Sequence, residues 1–244
     1  MRTLAAIFLL SLGAMAQMNF PPFSPDLSFY HSFDEGAEAD LALGGEKVVW
    51  KSGTVHFAEG RRGGLALVCG KGGALLRFSR RGSLDFSRPG TIVVFYRPLG
   101  WEEQTKERWP RLFLWGIESN QGYIGLQGAN DPKDRCMCER PFHLMLLYGK
   151  RLPNAAYSIP APGKTGCAGW HFLAFTWAGA ELSVKYDAQP PRHFSHPLPL
   201  QENDFPCTHF SIGSSSHWKY LLDDVIIYRR RLSPDELEQI RLAP

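Results

Sequence analysis

The sequence predicts an all-β fold, an antiparallel sandwich or barrel finished by one short C-terminal helix. Two observations predict it directly. Roughly a dozen short segments are rich in apolar, β-branched or aromatic residues, and Gly or Pro punctuates nearly every gap between them. A third observation narrows the class: strands do not alternate with helices, which argues against a dinucleotide-binding fold.

The elements follow in order. Residues 27–33 alternate apolar and polar with period two, and residues 54–57 do the same. Residues 64–69 and 74–78 are short apolar runs split by Gly70-Lys71-Gly72-Gly73, a hairpin signal. Residues 91–96 form a continuous β-branched stretch stopped by Pro98, as expected of a central buried strand. Further strands are expected at 112–117, 123–127, 143–148, 171–177, 182–186, 210–212 and 221–228. Only residues 233–240 read as helix: Ser233 is the N-cap, Pro234 is at N1, and Glu236 at N3 completes a capping box. Three segments read as loops on this scaffold. Residues 98–111 hold Trp101, Glu102, Glu103 and Trp109; residues 128–141 hold Cys136 and Cys138; residues 187–206 are rich in Pro and His. Long loops are where a β-scaffold carries function.

The N-terminus has the layout of a cleaved export signal. Arg2 supplies the positive start, Leu4 to Leu12 is apolar apart from Ser11, and Ala14-Met15-Ala16 offers small residues to a signal peptidase. The reading is a signal peptide over residues 1–16 and one domain over residues 17–244, secreted or periplasmic. The run is shorter than the roughly 20 residues that span a bilayer, so no membrane span is expected. Lys and Arg number 27 against 24 Asp and Glu, a balance too mild to imply nucleic acid. The clusters Arg61-Arg62, Arg80-Arg81 and Arg229-Arg230-Arg231 read as solvated turns.

Five cysteines fall in a chain expected where disulfides persist. Cys69 sits inside an apolar run and reads as a small buried hydrophobe. Cys136, Cys138, Cys167 and Cys207 are the disulfide candidates, with Cys136 and Cys138 each reaching for Cys167 or Cys207. The rival, a zinc site on the Cys136–Cys138 pair, is disfavoured because zinc pairs usually show wider spacing.

The C-terminal third carries a specific pattern. Trp170-His171-Phe172-Leu173-Ala174-Phe175-Thr176-Trp177 follows W-H-x-x-A-x-x-W, and Leu182 to Ala188 follows as a strand with Ala188 where Gly is usual. Phe210-Ser211-Ile212-Gly213 and then Leu222-Asp223-Asp224-Val225-Ile226-Ile227-Tyr228-Arg229-Arg230-Arg231-Leu232-Ser233 close the series. In order these resemble the laminin-G-like jelly-roll domains of the concanavalin A-like lectin and glucanase class. Upstream, Phe33-Asp34-Glu35-Gly36, Gly63 to Leu67 and Thr91 to Pro98 resemble its earlier strands, with residues 98–165 the least matched. The resemblance implies a two-sheet antiparallel jelly-roll sandwich. It also implies that the first and last strands pair, bringing Asp34 close to Asp223 and Asp224. Resembling domains often hold a structural calcium, and these three residues are the candidate ligands.

The resemblance also raises catalysis, since related jelly rolls include glycoside hydrolases. Those need two carboxylates facing one sugar bond, often on one strand. No strand here carries such a pair, and Glu102-Glu103 is a loop pair. The favoured reading is therefore a non-catalytic binding module for a glycan or an extracellular or envelope protein. A polysaccharide-active hydrolase or lyase and a structural or adhesive surface protein are the alternatives. Loop aromatics suit sugar stacking, so Trp101, Trp109 and Trp218, with His217 beside Trp218, are the candidate ligand-binding residues. Trp170 and Trp177 read as core.

Overall fold

The computed structural model describes residues 21, 25–101, 111–119, 122–128, 137–139, 141–148, 155–160, 163, 166–215 and 218–244. The expected signal peptide and Glu102, Glu103, Trp109, Cys136 and His217 lie outside the described residues. In chain order the strands are β1 (Leu27–His31), β2 (Leu41–Ala42), β3 (Trp50–Ser52), β4 (Phe57–Glu59), β5 (Leu65–Cys69), β6 (Leu75–Ser79), β7 (Gly90–Pro98) and β8 (Arg111–Ser119). They continue as β9 (Gly122–Gly128), β10 (Phe142–Tyr148), β11 (Ala155–Ile159), β12 (His171–Ala178), β13 (Glu181–Tyr186), β14 (Arg192–Ser195), β15 (His209–Gly213) and β16 (Tyr220–Tyr228). One helix, α1 (Pro234–Leu242), follows.

The strands form two antiparallel sheets packed as a jelly-roll-like sandwich. One has the order β14-β13-β12-β7-β16-β1-β2, with β5 on the first half of β16 and β4 on β5. The other has the order β11-β10-β9-β8-β15-β6-β3. The main core lies between them, where alternate residues of each strand point inward. Ile92, Val94 and Tyr96 of β7 meet Phe78, Phe210 and Ile212 of the second sheet there.

The unbroken apolar character of β7 has a plain cause: both of its faces are covered. Its other face puts Val93 and Phe95 in a second cluster with Ile226 and Tyr228 of β16 and Leu237 and Ile240 of α1. The expected capping box sets α1 over that face. Ser233 Oγ accepts from the Glu236 amide at 3.2 Å, and the Glu236 carboxylate accepts from the Ser233 amide at 2.8 Å.

Four strands were not legible in the sequence: β2, β3, β11 and β14. They are the edge strands of the two sheets and only two to five residues long. The strand expected at 54–57 begins only at Phe57. The hairpin expected at 70–73 is corrected to a crossing turn: β5 lies in the nine-stranded sheet and β6 in the seven-stranded one, so residues 70–73 carry the chain from one sheet to the other, and Gly70 is specific to that turn. Gly70 has φ +89°, and a Cβ there would lie 1.9 Å from the Trp218 carbonyl oxygen. Backbone cannot yield as a flexible side chain does. Gly70→Ala is therefore expected to destabilise the fold by at least about 2 kcal/mol, read as a lowered urea midpoint.

Strand β1 ends in a strained turn that His31 holds. Phe33 adopts φ +66°, unusual for a bulky residue, and stacks on the His31 ring at 3.9 Å. His31 is fully buried; its Nδ1 accepts from the Phe33 amide at 3.1 Å, and its Nε2 lies 3.1 Å from the Ala37 carbonyl, to which it donates. That pattern requires a neutral imidazole. Burial lowers the pKa from 6.5 to about 4. Because the folded value is depressed, the contribution is complete above pH 6.5 and is lost as pH falls through about 4, a change of about 3 kcal/mol. Asp223, pushed up to about 7 by burial and by its neighbour Asp224, acts in the opposite sense between about 4 and 7. The informative comparison is thus the difference between wild type and His31→Gln. Wild type should lose stability relative to the variant as pH falls from 6.5 to 4.

Candidate functional site

The antiparallel topology gathers several loops at one end of the sandwich. β7 and β15 both finish there, and β12 and β16 both start there, with Tyr220 opposite Pro98 and His171 opposite Tyr96. The ends of β9 and β11 join them, since β10 runs antiparallel to both. A disulfide between Cys138 and Cys167, with Cα atoms 5.6 Å apart, ties the segment before β10 to the turn before β12. The Gly163 amide also donates to the Cys138 carbonyl at 2.7 Å. One of the bridges open to the sequence thus exists. Cys207 is a correction: it carries no bridge and sits half-buried just before β15, its sulfur 3.3 Å from the His209 ring. Cys69 is unbridged and fully buried, as expected.

The same end holds a tie that the sequence did not reveal. His171 Nδ1 lies 2.8 Å from the Asp187 carboxylate and Nε2 lies 2.7 Å from the Gly166 carbonyl, so both ring nitrogens face acceptors. Asp187 also accepts from the Phe172 amide at 2.8 Å and adopts φ +47°. Asp tolerates the left-handed region better than most residues, which accounts for the missing glycine at Ala188. Above it the hydroxyls of Tyr96 and Tyr186 lie 3.3 Å apart, and burial pushes both up.

Trp101 is corrected from a ligand candidate to a core residue. It is fully buried against Tyr96 and Tyr220, and its Nε1 donates to the Lys219 carbonyl at 2.6 Å. An indole without an exposed face cannot stack on a sugar. Trp218 is half-buried against the main core, and its indole nitrogen is buried without a hydrogen-bond partner. Trp109 and His217, the other two candidates, lie outside the described residues.

The acidic residues are also arranged differently from the expectation. β1 does pair with β16, with His31 opposite Val225. Asp34, Asp223 and Asp224 nonetheless each engage a different part of the β4–β5 turn. Asp34 accepts from the Leu65 amide at 2.7 Å, and Asp223 from the Arg61 amide at 2.7 Å. Asp224 sits in a bulge of β16 at φ +47° and is fully buried. It accepts from Arg62 at 2.6 Å and from the Tyr30 hydroxyl at 3.0 Å, and faces Arg61 at 3.5 Å. Burial raises Asp224 and lowers Arg61, so desolvation penalises both charged forms and pairing offsets the cost. The three carboxylates thus engage one turn, and two guanidinium groups meet the charge of Asp224. Among the described residues no group of three or more His, Cys, Asp or Glu has a metal-holding arrangement.

Two of the basic clusters are corrected as well. The Arg61 guanidinium lies 4.0 Å from the centre of the Phe95 ring and donates to the Ala243 carbonyl at 3.0 Å, closing the C-terminal end of α1. Arg80 is buried, donates to the Leu84 carbonyl at 3.1 Å and pairs with Glu202. Only a three-dimensional neighbour could have revealed either role.

These features define an antiparallel, jelly-roll-like β-sandwich with a disulfide-tied loop end. No family model and no curated protein matches the sequence. Solved structures do match in fold. Domain 4 of AbnA, a GH43 extracellular arabinanase from Geobacillus stearothermophilus solved with arabinotriose, has a TM-score of 0.61 at 17% identity over 88% of this chain and 98% of that one. The binding domain of botulinum neurotoxin DC, solved with rat synaptotagmin II, gives 0.63 at 10% identity over 89% of this chain and 50% of that one. The same toxin domain solved with SialylT gives 0.64 at 8% identity, over 89% and 52%. This chain spans about half of those toxin domains. Among the described residues no helix is long and apolar enough to cross a membrane.

Proposed function

We propose that this chain is a secreted, non-catalytic carbohydrate-binding module of laminin-G-like type. One observation carries the reading. The adjacent strand carboxylates Asp223 and Asp224 are held by the β4–β5 turn and two arginines, which supports a structural rather than a catalytic role for this pair. The disulfide suits an oxidising compartment, where an exported chain would reside. Two similar structures were solved in complex with arabinotriose and with SialylT. Calcium is not required by this reading, because Arg61 and Arg62 already balance Asp224.

A glycan array followed by calorimetry, with calcium and with chelator, tests it. Retention of a defined glycan with no product released is the expected result. Release of reducing sugar that disappears in Glu102→Gln or Glu103→Gln would replace this reading with the hydrolase or lyase. Capture of a protein partner with no glycan retained would replace it with the adhesive role.

A further inference from the structure

Helix α1 covers the outer face of the sheet containing β7. Among the described residues, no helix or strand packs over the outer face of the other sheet. Period two determines what lies there. On β6, Leu76 and Phe78 are fully buried in the main core, so Arg77 between them faces outward. The register carries that row across the sheet. Arg77 is opposite Trp50 on one side and Ser211 on the other. Ser211 is opposite Gly116, Gly116 opposite Gly125, and Gly125 opposite Met145. Two adjacent strands therefore contribute no side chain to the middle of this row.

The charge on this face is unusual. The Arg77 guanidinium lies 4.2 Å from the centre of the Trp50 ring, and that indole is 45% exposed. Arg77 is half-buried, its Nε is buried without a hydrogen-bond partner, and no carboxylate among the described residues pairs with it. Half-buried guanidinium groups ordinarily find an acid, because an unpaired donor out of water is costly. His143 lies two residues from Met145 on β10, hence on the same face, and its Nδ1 is a second buried nitrogen without a partner. His209, on β15, is lowered by burial and by the Arg77 charge, so the local field is positive. β6 and β10 are separated by four interstrand steps, so Arg77 and His143 lie roughly 20 Å apart. That span suits several linked sugars rather than one.

We propose that the outer face of the seven-stranded sheet is a saccharide-binding surface selective for uronate-bearing chains. Arg77 receives a carboxylate and Trp50 a sugar face. This deepens the module reading above and rests on it. The chemistry is that of a planar guanidinium fork, which matches a carboxylate bidentately, beside an aromatic surface that accepts the apolar face of a sugar ring. The terminal N–H groups of the Arg77 guanidinium supply the donors that such a ligand would satisfy.

The test is affinity electrophoresis and calorimetry of the full chain on a panel. Polygalacturonate, alginate and glucuronoxylan are set against galactan, arabinan and unsubstituted xylan. The best ligand is expected among the acidic polymers, at least tenfold tighter than its neutral counterpart, with an advantage that shrinks as salt rises. Arg77→Gln should remove the advantage, and Trp50→Ala should weaken binding tenfold while leaving the charge in place. Melting curves check that each variant is folded; if Arg77→Gln is not, the salt dependence and Trp50→Ala still decide. Binding of a neutral polymer with no acidic preference would overturn this inference and leave the module reading standing. Binding to no polysaccharide would overturn both.

Discussion

Asp224→Ala is expected to lose about 3–4 kcal/mol of unfolding free energy. The wild-type carboxylate is fully buried and holds Arg62, Tyr30 and Arg61 at 2.6, 3.0 and 3.5 Å. Removing it takes from the Arg61 guanidinium, held over the Phe95 ring, the carboxylate that faces it. The cost of breaking a buried pair is typically 3–5 kcal/mol. Two facts set where this one falls. Arg62 keeps 27% of its side chain in water, which moderates the loss. Ala at φ +47° adds about 1 kcal/mol that Asp did not incur to the same degree. Asp224→Asn should lose roughly half as much, since it keeps the acceptor and the backbone preference. Urea denaturation measures both. A variant within 1 kcal/mol of wild type would contradict the Asp224 pairings. A melting point that falls on calcium chelation in wild type but not in Asp224→Ala would return the acidic residues to a metal.

The Cys138→Ser, Cys167→Ser double variant should lose about 3.6 kcal/mol, the chain-entropy value for a loop closed across 29 residues. Its effect should also be local. The bridge and the Gly163 amide are the ties described between the segment before β10 and the turn before β12. Amide exchange should therefore quicken first around residues 137–139 and 166–170 rather than in β7 or β16, whose faces are covered on both sides. Reduction of the wild-type protein under native conditions gives the same comparison without mutagenesis. Uniform loss of protection across both sheets would show that the bridge supports the whole core.

The ligand candidates show where sequence reasoning reaches its limit. Trp101 follows Pro98 in a segment that reads as a loop, yet its ring is fully buried against Tyr96 and Tyr220. Nothing in the local sequence separates an indole packed inward from one facing water. Arg77 was within reach. Alternation along residues 74–78 puts Leu76 and Phe78 on one face and Arg77 on the other. What was missing was its partner: β3 is three residues long, and its pairing through Trp50 has no signature in the sequence.

The sequence by itself determined the elements whose patterns are local: the apolar run of β7, the glycine turn at Gly70, the Ser233 capping box, and the ordered strands ending in β16. These depend on residues within a few positions of one another. The tertiary structure alone decided what the charges do. The sequence suggests that Asp34, Asp223 and Asp224 converge on a cation, whereas Arg61 and Arg62 of the β4–β5 turn reach the latter two from more than a hundred residues away, and the Leu65 amide reaches Asp34. The sign of a carboxylate's neighbour depends on which distant strand pairs beside it, and no local pattern encodes that. For the same reason Arg77 is visible as an unbalanced charge only once the sheet has brought Trp50 beside it and, among the described residues, no acid.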